Sequence, residues 1–227
     1  MKKVLTCEHA GNLVPAEFSS LFRGAGDLLA THKGYDPGAL DLFLGLVPLA
    51  DYSRHTEVSR LLVENNRSLD HPELFSKFTR GIPEAQKQEI LRCYYYAYRD
   101  PVEDRIRAFL GDQQEVLHLS VHSFTPVLNG EERTAEIGIL FDPARSAEAF
   151  FAESFRQALH KELPWIRIAF NYPYLGTADG FTTYLRTRFP EGYSGIELEV
   201  NQKLVSQNVL DPEIKLGVFN AFRNSPD

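Results

Sequence analysis

The sequence predicts an α/β fold in which a central sheet is covered by helices on both faces. Two observations lead to this prediction. Short runs of aliphatic and β-branched residues, typical of buried strands, alternate with longer segments that carry apolar residues at helical spacing. Loops rich in glycine, proline and polar residues separate them, as expected when helices connect the strands of one sheet.

Six elements are expected in the first half: a strand over 4–7, a short helix over 15–22, a helix over 37–45, strands over 46–52 and 60–64, and a long helix over 83–110. Asp36 precedes Pro37, a residue that suits the first turn of a helix, so Asp36 is the expected N-cap. The segment 99–101 ends in proline and is expected to break or kink the long helix.

Seven elements are expected in the second half: strands over 116–122, 137–141, 166–170 and 196–200, and helices over 144–163, 181–188 and 211–222. One apolar stripe of the helix over 144–163 is expected to lie in the core, and it comprises Phe150, Phe151, Phe155 and Leu159. Four tyrosines of the long first-half helix are expected to pack or to line a groove, namely Tyr94, Tyr95, Tyr96 and Tyr98.

Length and composition predict one domain over residues 1–227 with an ordinary core, at 43% hydrophobic and 24% charged residues. A net charge of −7 argues against a nucleic-acid partner. Cys7 and Cys93 form no disulfide framework, which fits a reducing compartment. The sequence shows no signal peptide and no run of about 18 apolar residues, so we expect a cytoplasmic protein that does not bind membranes.

Polar side chains that can carry chemistry lie at the ends of four of the predicted strands. They are His9, the pair Asn66 and Arg67, His122, and Glu199, and Asp36 joins them from a helix start. Ligands of open α/β sheets bind at the carboxyl ends of strands. Two imidazoles and a carboxylate form an open zinc site, a second carboxylate can move protons, and an arginine can hold a substrate carboxylate. These are the parts of a zinc amide hydrolase, although no His-Glu-x-x-His or Cys-x-x-Cys motif is present.

Other roles remain open for several of these residues. Asp36 can serve as a helix cap alone. Glu197 and Glu199 share one face of a strand, and two acids on a central strand are costly unless they are used, although one of them can be solvated. Cys7 lies two residues before His9 and is an alternative nucleophile, but a cysteine within an apolar strand is usually inert. The remaining histidines assigned to surface or structure are His32, His55, His71 and His160.

Seven sequence blocks resemble the N-formylglutamate amidohydrolase family. The blocks are residues 7–15, 34–39, 59–67, 122–126, Arg133 with 136–142, 171–174 and 196–202. Each block is weakly specific by itself, but they occur in the order of the family and cover nearly the whole chain. The resemblance implies a three-layer α/β/α fold with a mixed, mostly parallel central sheet, related to zinc carboxypeptidases and aspartoacylase.

The resemblance also implies roles for individual residues. His9 and His122 become zinc ligands with Asp36 as the third, although another divalent metal can occupy such a site. The related exopeptidases take their third ligand from a glutamate three residues after the first histidine, and this sequence has Asn12 at that position. Asp36 is therefore the inferred substitute, and Glu8 is the alternative. Glu199 becomes the general base and acid. The residues implied to hold a substrate carboxylate or the oxyanion are Asn66, Arg67, Arg133 and Arg186.

The predicted function is therefore zinc-dependent hydrolysis of the amide bond of a small N-acyl amino acid, such as N-formyl-glutamate. Two alternatives remain: a zinc carboxypeptidase or amidase acting on a short peptide or cell-wall fragment, and a metal-bearing binding protein without turnover. Tyr172 stands where we expect an acid in close relatives. The identity of the acyl group and of the amino acid is therefore open.

Overall fold

The structure, a computed structural model, describes residues 1–225. These residues form ten strands: β1 Lys2–Cys7, β2 Tyr52–His55, β3 Val116–Phe124, β4 Val127–Leu128, β5 Glu131–Glu132, β6 Ile137–Leu140, β7 Ile168–Phe170, β8 Tyr193–Asn201, β9 Val205–Ser206 and β10 Val209–Leu210. Six of them form the central sheet in the order β2-β1-β3-β8-β6-β7, and the other four form two small hairpins.

Seven α-helices accompany the strands in the described part of the chain: α1 Gly26–Leu29, α2 Ala39–Leu46, α3 Glu84–Ile90, α4 Ala97–Gly111, α5 Ser146–Glu162, α6 Phe181–Arg188 and α7 Pro212–Arg223. Helices α2, α5 and α7 pack on one face of the sheet in a shared hydrophobic cluster. Helices α4 and α6 pack on the other face in a second cluster. Within residues 1–225, no helix is both long enough and apolar enough to cross a membrane.

The central sheet is mixed and mostly parallel. Strands β2, β1, β3 and β8 run parallel, β6 is antiparallel to β8, and β7 is parallel to β6. The predicted three-layer α/β fold is thereby confirmed, while the extent of the single domain, 1–227, stays a prediction.

Strand β3 is buried along its whole length, because it lies between β1 and β8 and has helices on both faces. Alternate residues therefore meet different layers. Leu117, Leu119 and Val121 enter the cluster formed with α2, α5 and α7. The intervening side chains of β3 are polar, and His122 pairs in register with Glu199 of β8. This register brings chemistry-bearing residues together at the carboxyl end of the parallel strands.

Two predicted strands are wrong. Residues 46–52 instead end α2 and form the 3-10 helix Val47–Leu49, and β2 begins only at Tyr52. Residues 60–64 form turns without sheet pairing, and Leu62 and Val63 are buried in a separate cluster beneath α3. A short apolar run signals burial, but it does not distinguish a strand from another buried segment.

Two further corrections concern helices. The long helix is irregular over Leu91–Tyr96, which is a π-helix, and it continues through Pro101 inside α4 rather than breaking there. Phe150 is 66% exposed, whereas Phe151, Phe155 and Leu159 are buried. These three lie four residues apart on one face of α5, and Phe150 is turned about 100° away from Phe151 by the 3.6-residue helical repeat.

Candidate metal centre and active-site cleft

His9, Asp36 and His122 meet at the carboxyl end of the parallel strands. The chain reaches His9 in the turn after β1, Asp36 lies just before α2, and His122 lies near the end of β3. One potential ligand atom from each residue lies within 4.8 Å of the other two, and all three residues are buried. Asp36 Oδ2 is 3.0 Å from His122 Nδ1 and 3.3 Å from His9 Nδ1.

The other nitrogen of each imidazole contacts a different carboxylate. His9 Nε2 is hydrogen-bonded to Glu64, and His122 Nε2 lies 3.1 Å from Glu8 Oε2. A carboxylate accepts hydrogen bonds, so each Nε2–H is the donor, and a neutral ring then turns its Nδ1 lone pair toward Asp36. Nitrogen lone pairs facing a carboxylate oxygen repel it unless a cation or protons lie between them. The arrangement therefore suits a metal ion, with carboxylates orienting both histidines from behind.

The electrostatics agree with this arrangement. Burial by itself would lower the pKa of His122, but hydrogen bonds to Asp36 and Glu8 outweigh it and raise that pKa well above its ordinary value. Burial would raise the pKa of Asp36, yet the two histidines and Arg60 hold it far below its usual range. The Asp36 carboxylate is therefore ionised, and positive charge beside it stabilises this form.

Glu8 does not join the ligand group, because it lies on the far side of His122. Its two oxygens accept hydrogen bonds from Tyr98, at 2.7 Å, and from Ser120. The alternative that Glu8 replaces Asp36 as third ligand is not favoured by this geometry. Its carboxylate instead fixes the orientation of the His122 ring.

Glu64 and Arg60 complete the surroundings of the centre, and sequence analysis gave neither a role. Arg60 Nε donates to Glu64 Oε2 at 2.6 Å, and Arg60 Nη1 donates to Asp36 Oδ1 at 3.3 Å. One guanidinium thereby balances Asp36 and Glu64, two of the three carboxylates that contact the histidines. The four-residue spacing of Arg60 and Glu64 was the available signal, but the apolar residues between them indicated a strand.

A cleft of about 170 Å³ opens beside the centre. Its lining residues are His9, Asp36, Arg60, Asn66, Arg67, His122, Ser123, Tyr174, Leu175, Ala178, Asp179, Glu197 and Glu199. A larger cleft lies at the opposite edge of the sheet around Phe150 and Tyr193, away from the metal-ligand candidates. The smaller cleft is the candidate active site because the metal-ligand candidates line it, whereas none of them lines the larger cleft.

Glu199 lines this cleft next to the metal-ligand candidates. It is 5% exposed, and its Oε2 atom has no hydrogen-bond partner among residues 1–225. Burial and the nearby carboxylates of Asp36 and Glu197 raise the pKa of Glu199 to about 8. A carboxyl group with a pKa near neutrality can both accept and return a proton.

Asn66 and Arg67 also line the cleft, where hydrogen bonds hold both side chains. Asn66 Oδ1 accepts a 2.6 Å hydrogen bond from the backbone N–H of Phe181 at the start of α6. Arg67 Nη1 donates to the backbone carbonyls of Asn66 and Asp179, at 3.0 and 2.7 Å. The Asn66 amide nitrogen and the rest of the Arg67 guanidinium have no partner within residues 1–225, so they remain available to a ligand.

The two other predicted arginines lie elsewhere. Arg133 is at the rim, where its guanidinium contacts the hydroxyl of Tyr174 at 3.3 Å. Arg186 is buried outside the cleft, where it donates to Glu148 Oε1 at 2.9 Å and to the backbone carbonyl of Gly195 at 2.7 Å. These contacts occupy the Arg186 side chain in joining α6 to β8 and α5, so the structure does not place it with the substrate-binding candidates.

Two alternative interpretations from the sequence, a capping role for Asp36 and a nucleophilic role for Cys7, are also corrected. Asp36 is not a helix cap, because the residue before α2 is Gly38 and the Asp36 side chain contacts the two histidines and Arg60. Cys7 is fully buried in the core, and burial followed by the nearby acids raises the pKa of its thiol well above the ordinary value. Cys7 is therefore a packing residue rather than a nucleophile.

A family model described as N-formylglutamate amidohydrolase matches residues 1–206. The chain belongs to this family. Membership confirms the resemblance noted in the sequence, and it makes the protein a hydrolase of amide bonds rather than a binding module without turnover. No curated protein matches the sequence.

Solved structures of similar fold agree with the architecture. A gene product of Agrobacterium tumefaciens is 24% identical with a TM-score of 0.79, and the match covers 96% of this chain and 86% of that one. An N-formylglutamate amidohydrolase from Ralstonia eutropha is 15% identical with a TM-score of 0.69, and the match covers 98% and 92% of the two chains. At these identities the likeness shows the fold, and the implied relation to zinc carboxypeptidases stays a prediction.

Proposed function

We propose that this family member hydrolyses the amide bond of a small N-acyl amino acid, with N-formylglutamate as the first candidate substrate. A divalent metal ion, with zinc as the first choice, would be held by His9, Asp36 and His122. The convergence of these three buried side chains beside the unpartnered Glu199 supports the proposal most directly. Two imidazoles and one carboxylate match the ligand set of catalytic zinc sites.

A bound metal would activate a water molecule and polarise the acyl carbonyl. Glu199 would take the proton of the attacking water and return it to the nitrogen of the leaving amino acid. Its raised pKa suits both steps, because the same group must act as base and then as acid. Glu8 and Glu64 would keep the imidazole rings of His122 and His9 in one orientation.

Asn66 and Arg67 would hold the carboxylate of the amino acid. A guanidinium can grip a carboxylate with two parallel hydrogen bonds, and the free part of Arg67 offers this geometry. Arg133 is at the rim, where it would attract an anionic substrate rather than contact the scissile bond. A cleft of about 170 Å³ fits a single amino-acid derivative better than a peptide or cell-wall fragment. The predicted cytoplasmic location and lack of nucleic-acid or membrane partners accord with this function.

The first experiment is elemental analysis of protein purified without chelator, followed by hydrolysis assays with N-formyl, N-acetyl and N-succinyl amino acids. We expect about one zinc per chain and cleavage of at least one N-acyl amino acid. His122→Ala should lose the metal, and the exposed, remote His160→Ala is the matched control. A folded chain that neither contains nor takes up a divalent metal would contradict the proposal.

A further inference from the structure

The cleft contains a second carboxylate that the proposed reaction does not use. Glu197 lies two residues before Glu199 on β8, so both side chains project from the same face. Along the neighbouring strand β3, Glu197 pairs in register with Ser120, whereas Glu199 pairs with His122. Glu197 is only 9% exposed and it lines the cleft together with Asn66 and Arg67.

Only one of the two oxygens of the Glu197 carboxylate has a hydrogen-bond partner within residues 1–225. Its Oε1 atom accepts a 2.5 Å hydrogen bond from the Thr182 hydroxyl of α6, while Oε2 has no hydrogen-bond partner among residues 1–225. None of the ion pairs within that range involves Glu197. Burying a carboxylate without a cation is unfavourable. The free oxygen therefore faces the cleft without an internal partner.

Neither neighbouring arginine forms an ion pair with Glu197. Arg60 pairs with Glu64 and Asp36. Arg67 donates Nη1 to backbone carbonyls, and the proposed function assigns the rest of its guanidinium to the carboxylate of the substrate. The contrast with Glu148 is informative, because that fully buried carboxylate pairs with both Arg145 and Arg186. Within residues 1–225, Glu197 has no comparable ion pair.

The surroundings of Glu197 present further acceptor oxygens to a ligand. Gly180 leaves open the space where a Cβ would lie 3.4 Å from Glu197 Oε1 and 3.2 Å from Asn66 Oδ1. Asp179, which also lines the cleft, adds another carboxylate, one of whose oxygens accepts from the Ser68 backbone N–H. A group that enters this end of the cleft is therefore bound best if it donates hydrogen bonds and carries positive charge.

We propose that Glu197 determines specificity by binding a cationic side chain, an ammonium or guanidinium group, on the amino acid that is released. This inference rests on the proposed function, in which Asn66 and Arg67 hold the carboxylate of the same molecule. A substrate with a second carboxylate, such as N-formylglutamate, would bring like charge toward Glu197 and be cleaved less efficiently. The chain then selects N-acyl basic amino acids, and these replace N-formylglutamate as the first candidate substrates, although the family is named for an acidic one.

The test compares Nα-formyl-L-lysine, Nα-formyl-L-norleucine and N-formyl-L-glutamate with metal-loaded protein. Norleucine reproduces the carbon chain of lysine without the ammonium group. We expect the wild type to cleave the lysine compound with a kcat/KM about 10- to 100-fold above that of the norleucine compound, the range for one hydrogen bond between charged groups. Glu197→Gln should bring the ratio of the two kcat/KM values to about one, because the amide retains the shape and the Thr182 contact but carries no charge.

Calorimetric binding of free L-lysine and L-norleucine provides a readout that needs no turnover. Glu115→Gln, at an exposed carboxyl group on the opposite edge of the sheet, is the matched control. Equal binding and cleavage of the lysine and norleucine compounds by the wild type would overturn the assignment of Glu197, even if N-formylglutamate is cleaved well. Failure to cleave any of the three compounds would contradict the proposed function, and calorimetry would still decide the role of Glu197.

Discussion

Replacing Glu199 with glutamine should abolish turnover and at the same time stabilise the metal-free protein at alkaline pH. The environment raises the pKa of this carboxyl group from its ordinary value of 4.5 to about 8, chiefly through burial. The folded state therefore binds the Glu199 proton more tightly than the unfolded state, and stability falls as pH rises from 4.5 to 8. At 1.36 kcal/mol per pH unit, the stability lost relative to acidic pH is about 3 kcal/mol at pH 7, where only the unfolded state has ionised, and up to about 5 kcal/mol above pH 8, where the folded state ionises too.

The assay is urea unfolding of chelator-treated wild type and Glu199→Gln at several values between pH 5 and pH 8.5. The free energy of unfolding of the variant minus that of the wild type should increase as pH rises, because glutamine does not ionise. With metal restored, the variant should keep its metal while kcat falls about 10²- to 10⁴-fold, the usual effect of losing a general base. A difference in unfolding free energy that is the same at every pH would refute the reasoning, and unimpaired turnover would remove Glu199 from its assigned role.

Three further predictions concern the support of the site. Glu148→Ala removes the partner of Arg186 and Arg145, so the free energy of unfolding should fall by about 3–5 kcal/mol, the usual cost of an unpaired buried charge; an unchanged urea midpoint would contradict this. Gly138→Ala would place a Cβ 1.8 Å from the Tyr172 carbonyl oxygen, so the melting temperature and kcat/KM should both fall, whereas Gly111→Ala, with open space around it, should change neither. Chelation should abolish hydrolysis and added zinc should restore it, and activity that persists in chelator without bound metal would argue against the proposed centre.

The α/β fold was predictable because its main strands are short buried runs whose type follows from their residues. Strand β3 is the clearest case, since it is central and uniformly buried. The predicted strand over 60–64 was wrong because Leu62 and Val63 are buried by a loop and α3 rather than by sheet neighbours. Periodicity reports burial, and only tertiary context decides which backbone conformation provides it.

The candidate site was partly predictable for a different reason. His9, Asp36 and His122 are far apart in the sequence, but two of them follow strands whose carboxyl ends must share one edge of a sheet. Arg186 was misassigned because its partner, Glu148, is 38 residues away on another helix and leaves no local signal. The same holds for Glu8, whose position behind His122 depends on the β1–β3 pairing and on Tyr98 from α4.

One wall of the cleft belongs to none of the strands that carry the metal-ligand candidates. The metal-ligand candidates come from the parallel strands and the turn before α2, whereas one wall of the cleft is the loop that follows β7, including Tyr174, Leu175 and Asp179. This loop can change length or composition without moving the histidines, because it shares no strand with them. Related chains of this architecture can therefore acquire new substrate preferences by altering one surface segment while the chemistry is inherited intact.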